Sequence, residues 1–114
     1  MKKIFFLTLI CFFSVAAVAA AHPPSKVDVI YDPATQTAVA TIIHMVSNPA
    51  THYIFKAELL VNGKVVQEQK FDHQLDNTQE KASFVVAGLK SGDEIAVVGY
   101  CNLSGSRGGT LKIE

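Results

Sequence analysis

The sequence predicts an all-β domain, an immunoglobulin-like antiparallel β-sandwich of about seven strands, preceded by an export signal. Two observations support this fold class. β-Branched and aromatic residues cluster in short runs, and turn-forming residues separate those runs. No stretch of residues 22–114 repeats its apolar positions convincingly at helical spacing. Residues 22–114 therefore suit one small domain, with no internal repeat or linker to divide them.

A signal peptide is predicted over residues 1–21. Lys2 and Lys3 begin it, an apolar run spans residues 4–13, and small residues with several Ala-x-Ala cleavage options fill residues 15–21. We therefore expect a periplasmic or secreted protein. The mature form should have no membrane span, because the rest of the chain lacks a second run of roughly 20 apolar residues.

The mature chain is slightly acidic. Removing Lys2 and Lys3 with the signal leaves eight basic against ten acidic residues, a formal net charge of −2. This charge argues against nucleic acid or an anionic membrane as the partner. The mature chain also keeps a single cysteine, Cys101, so it has no intramolecular disulfide. Its stability must come from the apolar core, with a metal ion as a possible addition.

The strands are predicted in order from their residue types and the turns between them. Residues 32–35 form a turn with proline at its second position, and Asn62-Gly63 signals a two-residue hairpin because a type I′ turn needs positive φ at both positions. Residues 91–93 and the glycine-rich Gly105–Gly109 are predicted connections. The predicted strands are Val27–Tyr31, Thr37–His44, Tyr53–Val61, Lys64–Phe71, Lys81–Ala87, Glu94–Cys101 and Thr110–Ile113.

Two of these strands have a predicted core face. The third alternates in polarity, which is typical of a half-buried strand, and the sixth places Cys101 on one face with apolar neighbours. The predicted core faces are Tyr53, Phe55, Ala57, Leu59 and Val61 in the third strand, opposite Lys56 and Glu58, and Ile95, Val97, Gly99 and Cys101 in the sixth.

Side chains that bind transition metals are predicted to gather at one end of the sandwich. His44 closes the second strand, His52 opens the third, and Cys101 closes the sixth. Strand ends at one pole of a sandwich lie near each other even when they are far apart in sequence. His22, just before the first strand, could reach the same pole. Imidazole and thiolate suit iron, copper or zinc better than calcium or magnesium, so the sequence predicts a transition-metal site.

Each of these residues also has a simpler interpretation. Cys101 can be a buried thiol that packs as a small apolar residue. His44 and His52 can be polar residues at strand ends, and His22 can belong to a disordered terminus. His73, in the polar connection that follows the fourth strand, is expected to be solvated, with replacement of a missing imidazole as its alternative role.

Two motifs on these strands carry a family resemblance. The first is His52-Tyr53-Ile54, followed by Ala57-Glu58-Leu59 and Asn62-Gly63-Lys64, and the second is Cys101-Asn102-Leu103-Ser104-Gly105. Together with Ala21-His22-x-Pro24 ahead of them, they make nearly the whole mature chain resemble the superoxide reductase family. That family includes the neelaredoxins and the iron-binding domain of the desulfoferrodoxins.

The resemblance implies an oxidoreductase with one non-haem iron. His22, His44 and His52 would be equatorial ligands and Cys101 the axial thiolate, with superoxide or a similar small oxidant at the open position and hydrogen peroxide as the product. An axial thiolate pushes electron density toward bound oxygen, as in thiolate-ligated haem. Because the mature chain lacks a cysteine quartet for a rubredoxin-like centre, electrons would come from a separate donor protein.

The chain departs from the family pattern at three places. Ser104 stands in place of the last histidine, Ala20-Ala21 in place of a Glu-Lys pair, and the interval from His44 to His52 is two residues longer. Two other functions therefore stay open. One is a non-catalytic copper- or zinc-binding protein, since three histidines and one cysteine can close a tetrahedral site. The other is a metal-free β-sandwich that acts as an accessory module.

Overall fold

The computed structural model describes residues 22–114, so the predicted signal peptide lies outside the described residues. The described part forms two antiparallel sheets, and it contains no apolar helix of membrane-spanning length. Its strands are β1 (Lys26–Asp32), β2 (Thr37–Ile43), β3 (Ile54–Val61), β4 (Lys64–Lys70), β5 (Gln79–Val85), β6 (Glu94–Cys101) and β7 (Ser106–Lys112).

The two sheets form a sandwich, which confirms the predicted fold class. One sheet has the order β1-β2-β5 and the other the order β4-β3-β6-β7. Apolar side chains from the two inner faces fill the space between them. The buried core consists of Val27, Val29, Ala38, Ala40, Ile42, Ile54, Ala57, Leu59, Ala82, Phe84, Val86, Ile95 and Val97.

The β3–β4 hairpin forms at the predicted turn. Asn62 and Gly63 have φ values of 49° and 82°, which are the positive values that a two-residue turn of type I′ needs. The Asn62 side chain also fastens this turn to the start of β6, since its Oδ1 accepts a hydrogen bond from the Glu94 N–H at 2.9 Å. The hairpin lies at the end of the sandwich opposite His44 and Cys101.

The beginning of β3 differs from the prediction. The alternation placed Phe55 on the core face, but Ile54 is fully buried and Phe55 is 38% exposed. The register between β3 and β6 shifts between Ile54 and Lys56, so Phe55 is the extra residue of a β-bulge. From Ala57 onward the core face is as predicted. The bulge allows even-numbered residues before it and odd-numbered residues after it to face the interior.

The glycine-rich segment is a strand and not the predicted connection. β7 starts at Ser106 and pairs with β6 through Gly108 and Gly109. A Cβ atom on Gly109 would lie 2.0 Å from the carbonyl oxygen of Val27 in β1. Glycine is needed here because the two sheets approach each other along β1 and β7. The glycines that are typical of a loop are therefore present here because β1 and β7 lie in close contact.

Replacing Gly109 tests this close approach. Gly109→Ala should lower the free energy of unfolding by about 1–3 kcal/mol, because the new methyl group must push apart two backbones. Gly108→Ala is the matched control, since its nearest neighbour is a movable methyl group of Val98 at 3.3 Å. Urea denaturation of both variants measures the difference. Equal stability of the two variants would show that β1 and β7 can separate freely.

Candidate metal centre

Three buried side chains meet at one end of the sandwich. His44 directly follows β2, His52 lies two residues before the first residue of β3, and Cys101 ends β6. One ring nitrogen from each histidine and the Cys101 Sγ atom all lie within 4.8 Å of one another. The exposed fractions of His44, His52 and Cys101 are 0%, 6% and 5%. This cluster could hold a metal ion, and its three members are the strand-end residues that the sequence analysis selected.

His22 lies beside the cluster without being a member of it. Its ring centroid is 5.2 Å from that of His44 and 5.4 Å from that of His52. Its Nδ1 atom lies 3.1 Å from the carbonyl oxygen of Pro23. The residues after His22 are anchored, because Arg107 Nε donates to the carbonyl oxygen of Pro24 at 2.7 Å. The predicted fourth ligand therefore lies next to the other two imidazoles.

Two other residues discussed from the sequence lie outside the cluster. The His73 side chain is 71% exposed and lies in hydrogen-bond contact with Asp72, so it is solvated as expected and does not supply a further imidazole. Ser104, which the resemblance noted above would align with a histidine, is also exposed. Among the described residues, three imidazoles therefore lie together at the cluster: those of His22, His44 and His52.

An unpaired nitrogen in the cluster fits a metal ligand. His52 Nε2 is buried and has no hydrogen-bond partner in the protein. Burial lowers the pKa of His52 below its usual value, and the nearby imidazoles of His44 and His22 lower it further. A lower pKa favours the neutral ring, which has a nitrogen lone pair for a metal. A buried polar atom without a partner costs free energy, which a bound cation would recover.

The Cys101 sulfur lies in a tight turn that suits an anionic ligand. The Leu103 N–H donates to Cys101 Sγ at 3.4 Å, and the Cys101 N–H donates to the carbonyl oxygen of Gly105 at 3.0 Å. Gly105 has a φ of 73°, which closes the turn before β7 begins. The thiolate is the form that binds metals, and the Leu103 N–H would also donate to the sulfur of a metal-bound thiolate.

Asn102 links the Cys101 turn to the segment that carries His52. Its Oδ1 accepts a hydrogen bond from the Tyr53 N–H at 2.9 Å, and its Nδ2 donates to the carbonyl oxygen of Thr51 at 3.0 Å. Its own N–H donates to the carbonyl oxygen of Tyr53. These bonds hold the residues on both sides of His52, so Asn102 sets the position of one ligand relative to another.

The long interval between His44 and His52 is accommodated by a compact turn. The carbonyl oxygen of Asn48 accepts hydrogen bonds from the N–H groups of Thr51 and His52, at 3.2 Å and 2.9 Å. The Asn48 side chain adds a bond to the Ala50 N–H at 3.0 Å. The segment between His44 and His52 is thus folded into a compact turn, and His52 reaches the cluster.

Gln74 contacts the cluster, although no sequence pattern indicated it as a site residue. Its Oε1 lies 2.7 Å from His44 Nδ1, and its side chain is 2% exposed. Gln74 belongs to the polar connection between β4 and β5, which gives no sequence signal for burial. The burial of one amide in this connection of eight residues, 71–78, can be recognised only from its contacts with the rest of the fold.

Comparisons of this chain with protein-family models, with curated proteins and with solved structures found no match. The fold and the cluster themselves therefore define the class of protein: a β-sandwich with buried histidine and cysteine side chains that could hold a metal ion.

Replacing Asn102 tests its role in holding His52. Asn102→Ala loses both side-chain bonds and should cost about 1–3 kcal/mol of stability. It should also weaken cobalt(II) binding, measured by titration of the thiolate absorption band. Asn102→Asp is the matched variant, because it keeps the acceptor for the Tyr53 N–H and should bind cobalt(II) more tightly than Asn102→Ala. Equal affinity of wild type and both variants would contradict the role.

Glu80 provides a test of how the β4–β5 connection is held. Its buried carboxylate accepts hydrogen bonds from the Leu75 N–H at 3.1 Å and the Lys81 N–H at 2.9 Å. Burial raises its pKa above the usual 4.5. Its contribution to stability is therefore largest below the unfolded-state pKa and is lost as pH rises through the folded-state pKa.

Glu80→Gln should gain stability relative to wild type as pH rises from about 4 to about 7, because glutamine cannot ionise. Urea denaturation of both proteins across this range measures the change. Taking the difference between the two proteins removes the pH dependence that other groups contribute equally. A difference that stays constant with pH would show that the Glu80 pKa is not raised by folding.

Proposed function

We propose that this protein is a periplasmic superoxide reductase-like enzyme with one non-haem iron. The iron ligands would be His44, His52 and Cys101, with His22 as the fourth. The proposal rests on the buried two-histidine, one-cysteine cluster and on the unpaired Nε2 atom of His52 within it. It also rests on the resemblance of the residues around His52 and Cys101 to the motifs of that family.

The donor atoms favour iron over the hard cations. Imidazole nitrogen and thiolate sulfur are ligands for iron, copper and zinc, whereas magnesium and calcium take oxygen ligands. When bound, iron would supply a single electron to superoxide, which with two protons becomes hydrogen peroxide. The electron must be replaced from outside, because the described residues contain one cysteine and so no second thiolate centre. The partner in turnover is therefore an electron-donor protein.

The protein's own residues would prepare the ligands. The Leu103 N–H would donate to the sulfur of a metal-bound thiolate, and burial lowers the pKa of His52, which favours the neutral ring that binds metals. His22 would turn its ring from the Pro23 carbonyl oxygen toward the cluster. Ser104 is exposed and leaves no fourth imidazole, so the proposed set has three nitrogen donors and one sulfur. An iron with four protein ligands would keep room for a small anion.

The same count of donors supports a second function. Three imidazoles and one thiolate are a complete tetrahedral set for zinc, and such a closed site is structural and not catalytic. Copper would also accept these ligands. The metal content of the protein therefore decides between the iron enzyme and a non-catalytic zinc or copper protein.

Metal analysis and superoxide kinetics test the proposed function. Protein purified from its native compartment should contain iron in proportion to the chain, and the oxidised form should show a thiolate-to-iron absorption band. Cys101→Ser should lose this band and the reaction with superoxide, because the hydroxyl group cannot replace the thiolate.

His73→Ala is the matched control, since His73 is exposed and lies outside the cluster. It should keep the iron, the band and the rate of superoxide consumption in stopped-flow measurements. Iron-loaded wild type that leaves superoxide decay unchanged would refute the proposed activity. Zinc or copper in place of iron would establish the alternative.

A further inference from the structure

The Gln74 side chain is buried and all its polar positions are occupied. Its Nε2 donates to the carbonyl oxygens of His44 at 2.8 Å and Asp76 at 2.9 Å. Its Oε1 faces His44 Nδ1 at 2.7 Å and accepts from the Ile54 N–H at 3.3 Å. One amide thus connects the end of β2, the start of β3 and the β4–β5 connection.

These partners settle which end of the amide faces His44. Carbonyl oxygens only accept hydrogen bonds, so the atom that contacts the His44 and Asp76 carbonyls must be the NH₂ group. A backbone N–H only donates, so the atom that contacts Ile54 must be the oxygen. A flipped amide would lose all three backbone bonds. The atom beside His44 Nδ1 is therefore an acceptor, and Nδ1 must carry the proton.

The other nitrogen of His44, Nε2, lies on the side of His22. Nε2 lies 3.1 Å from the carbonyl oxygen of His22, the residue whose ring flanks the cluster. In a singly protonated ring the proton is on Nδ1, so the Nε2 lone pair and the His22 carbonyl oxygen are two acceptors that repel each other. A cation at Nε2 relieves that repulsion. The arrangement is that of a metal-binding histidine whose second nitrogen is held by a neighbouring acceptor.

We propose that Gln74 is a positioning residue for the metal centre. By accepting the Nδ1 proton, Gln74 selects the tautomer in which His44 Nε2 is free to bind the metal, and it fixes the orientation of the ring. This inference rests on the metal site of the proposed function, but it requires neither iron nor superoxide reduction. It assigns a role to a residue that touches neither the metal nor the substrate.

The backbone around Gln74 holds the amide in place. The Gln74 N–H donates to the carbonyl oxygen of Pro49 at 2.9 Å, in the turn that leads to His52. Glu80 accepts from the next N–H, that of Leu75. The amide is therefore fixed from both sides along the chain, and the loss of the Oε1 atom cannot be repaired by a small shift of the loop.

Two substitutions separate positioning from simple structural support. Gln74→Met keeps the length of the side chain but removes the acceptor and both donors. Gln74→Glu keeps an acceptor for His44 Nδ1 and the Ile54 N–H, while it loses the donors to the His44 and Asp76 carbonyls. Asp76→Ala is the control: its carboxylate accepts from the N–H groups of Thr78 and Gln79 in the same connection and does not touch His44.

Zinc(II) affinity is measured by chelator competition under conditions in which each variant is folded. Gln74→Met should bind zinc(II) about 10- to 100-fold more weakly than wild type, the usual effect of removing such a partner. Gln74→Glu and Asp76→Ala should lose stability in urea but keep most of the affinity. If zinc(II) affinity fell in proportion to stability in all three variants, the proposal would be overturned.

The tautomer itself is measured by nitrogen-15 NMR of the His44 ring. Wild type should show a protonated Nδ1 that exchanges slowly with water, with or without zinc(II), and Gln74→Met should lose this slow exchange. An unprotonated Nδ1 in wild type would refute the inference whatever metal the protein binds. Failure of iron loading or of superoxide reduction with this NMR result intact would count against the proposed function alone.

Discussion

β3 and β6 lie side by side in the middle of the larger sheet, and the register between them places Ile54 opposite Cys101 at its last pair. The bulge at Phe55 belongs to this register. Without the extra residue, burial of Ala57 and Leu59 would turn Ile54 and His52 outward, because side chains alternate between faces. With it, His52 lies on the same side as the Cys101 sulfur. The positions of His52 and Cys101 relative to each other are therefore fixed by the pairing of β3 with β6.

The third ligand comes from the opposite sheet. His44 follows β2, and its N–H donates to the carbonyl oxygen of Thr78 just before β5, so it is held by the smaller sheet. Gln74 spans the gap, since its amide bonds to His44 and to Ile54 at the start of β3. A metal ion at the cluster would connect the two sheets at one end. In a chain whose described part has no disulfide, such a link would stabilise the fold in proportion to its affinity for the metal.

The polar groups at this end of the sandwich are paired with few exceptions. Asn102 and Gln74 use their side chains to satisfy backbone groups of the segments that carry the ligands, and Glu80 does the same within the β4–β5 connection. Against that background the unpaired Nε2 atom of His52 is conspicuous. Buried polar atoms in folded proteins normally have a partner, and here a cation would be that partner. The site is thus supported by a polar framework that leaves one nitrogen for a ligand from outside.

Residue types and turn signals were sufficient to predict the sandwich, six of the strands to within two residues at each end, and the three side chains of the cluster. Those features depend on local patterns: alternation along a strand, a two-residue turn at Asn62-Gly63, and ligands at strand ends. The first residues of β7, which lie in the glycine-rich segment, were not predictable in this way, and neither were the exposure of Phe55 and the role of Gln74. Each depends on a contact between segments distant in sequence, namely Val27 against Gly109, β3 against β6, and the β4–β5 connection against His44. The pattern of residues along the chain indicates which side chains can be buried. The packing of distant segments against each other decides which side chains are buried, and it decides which nitrogen of His44 contacts Gln74.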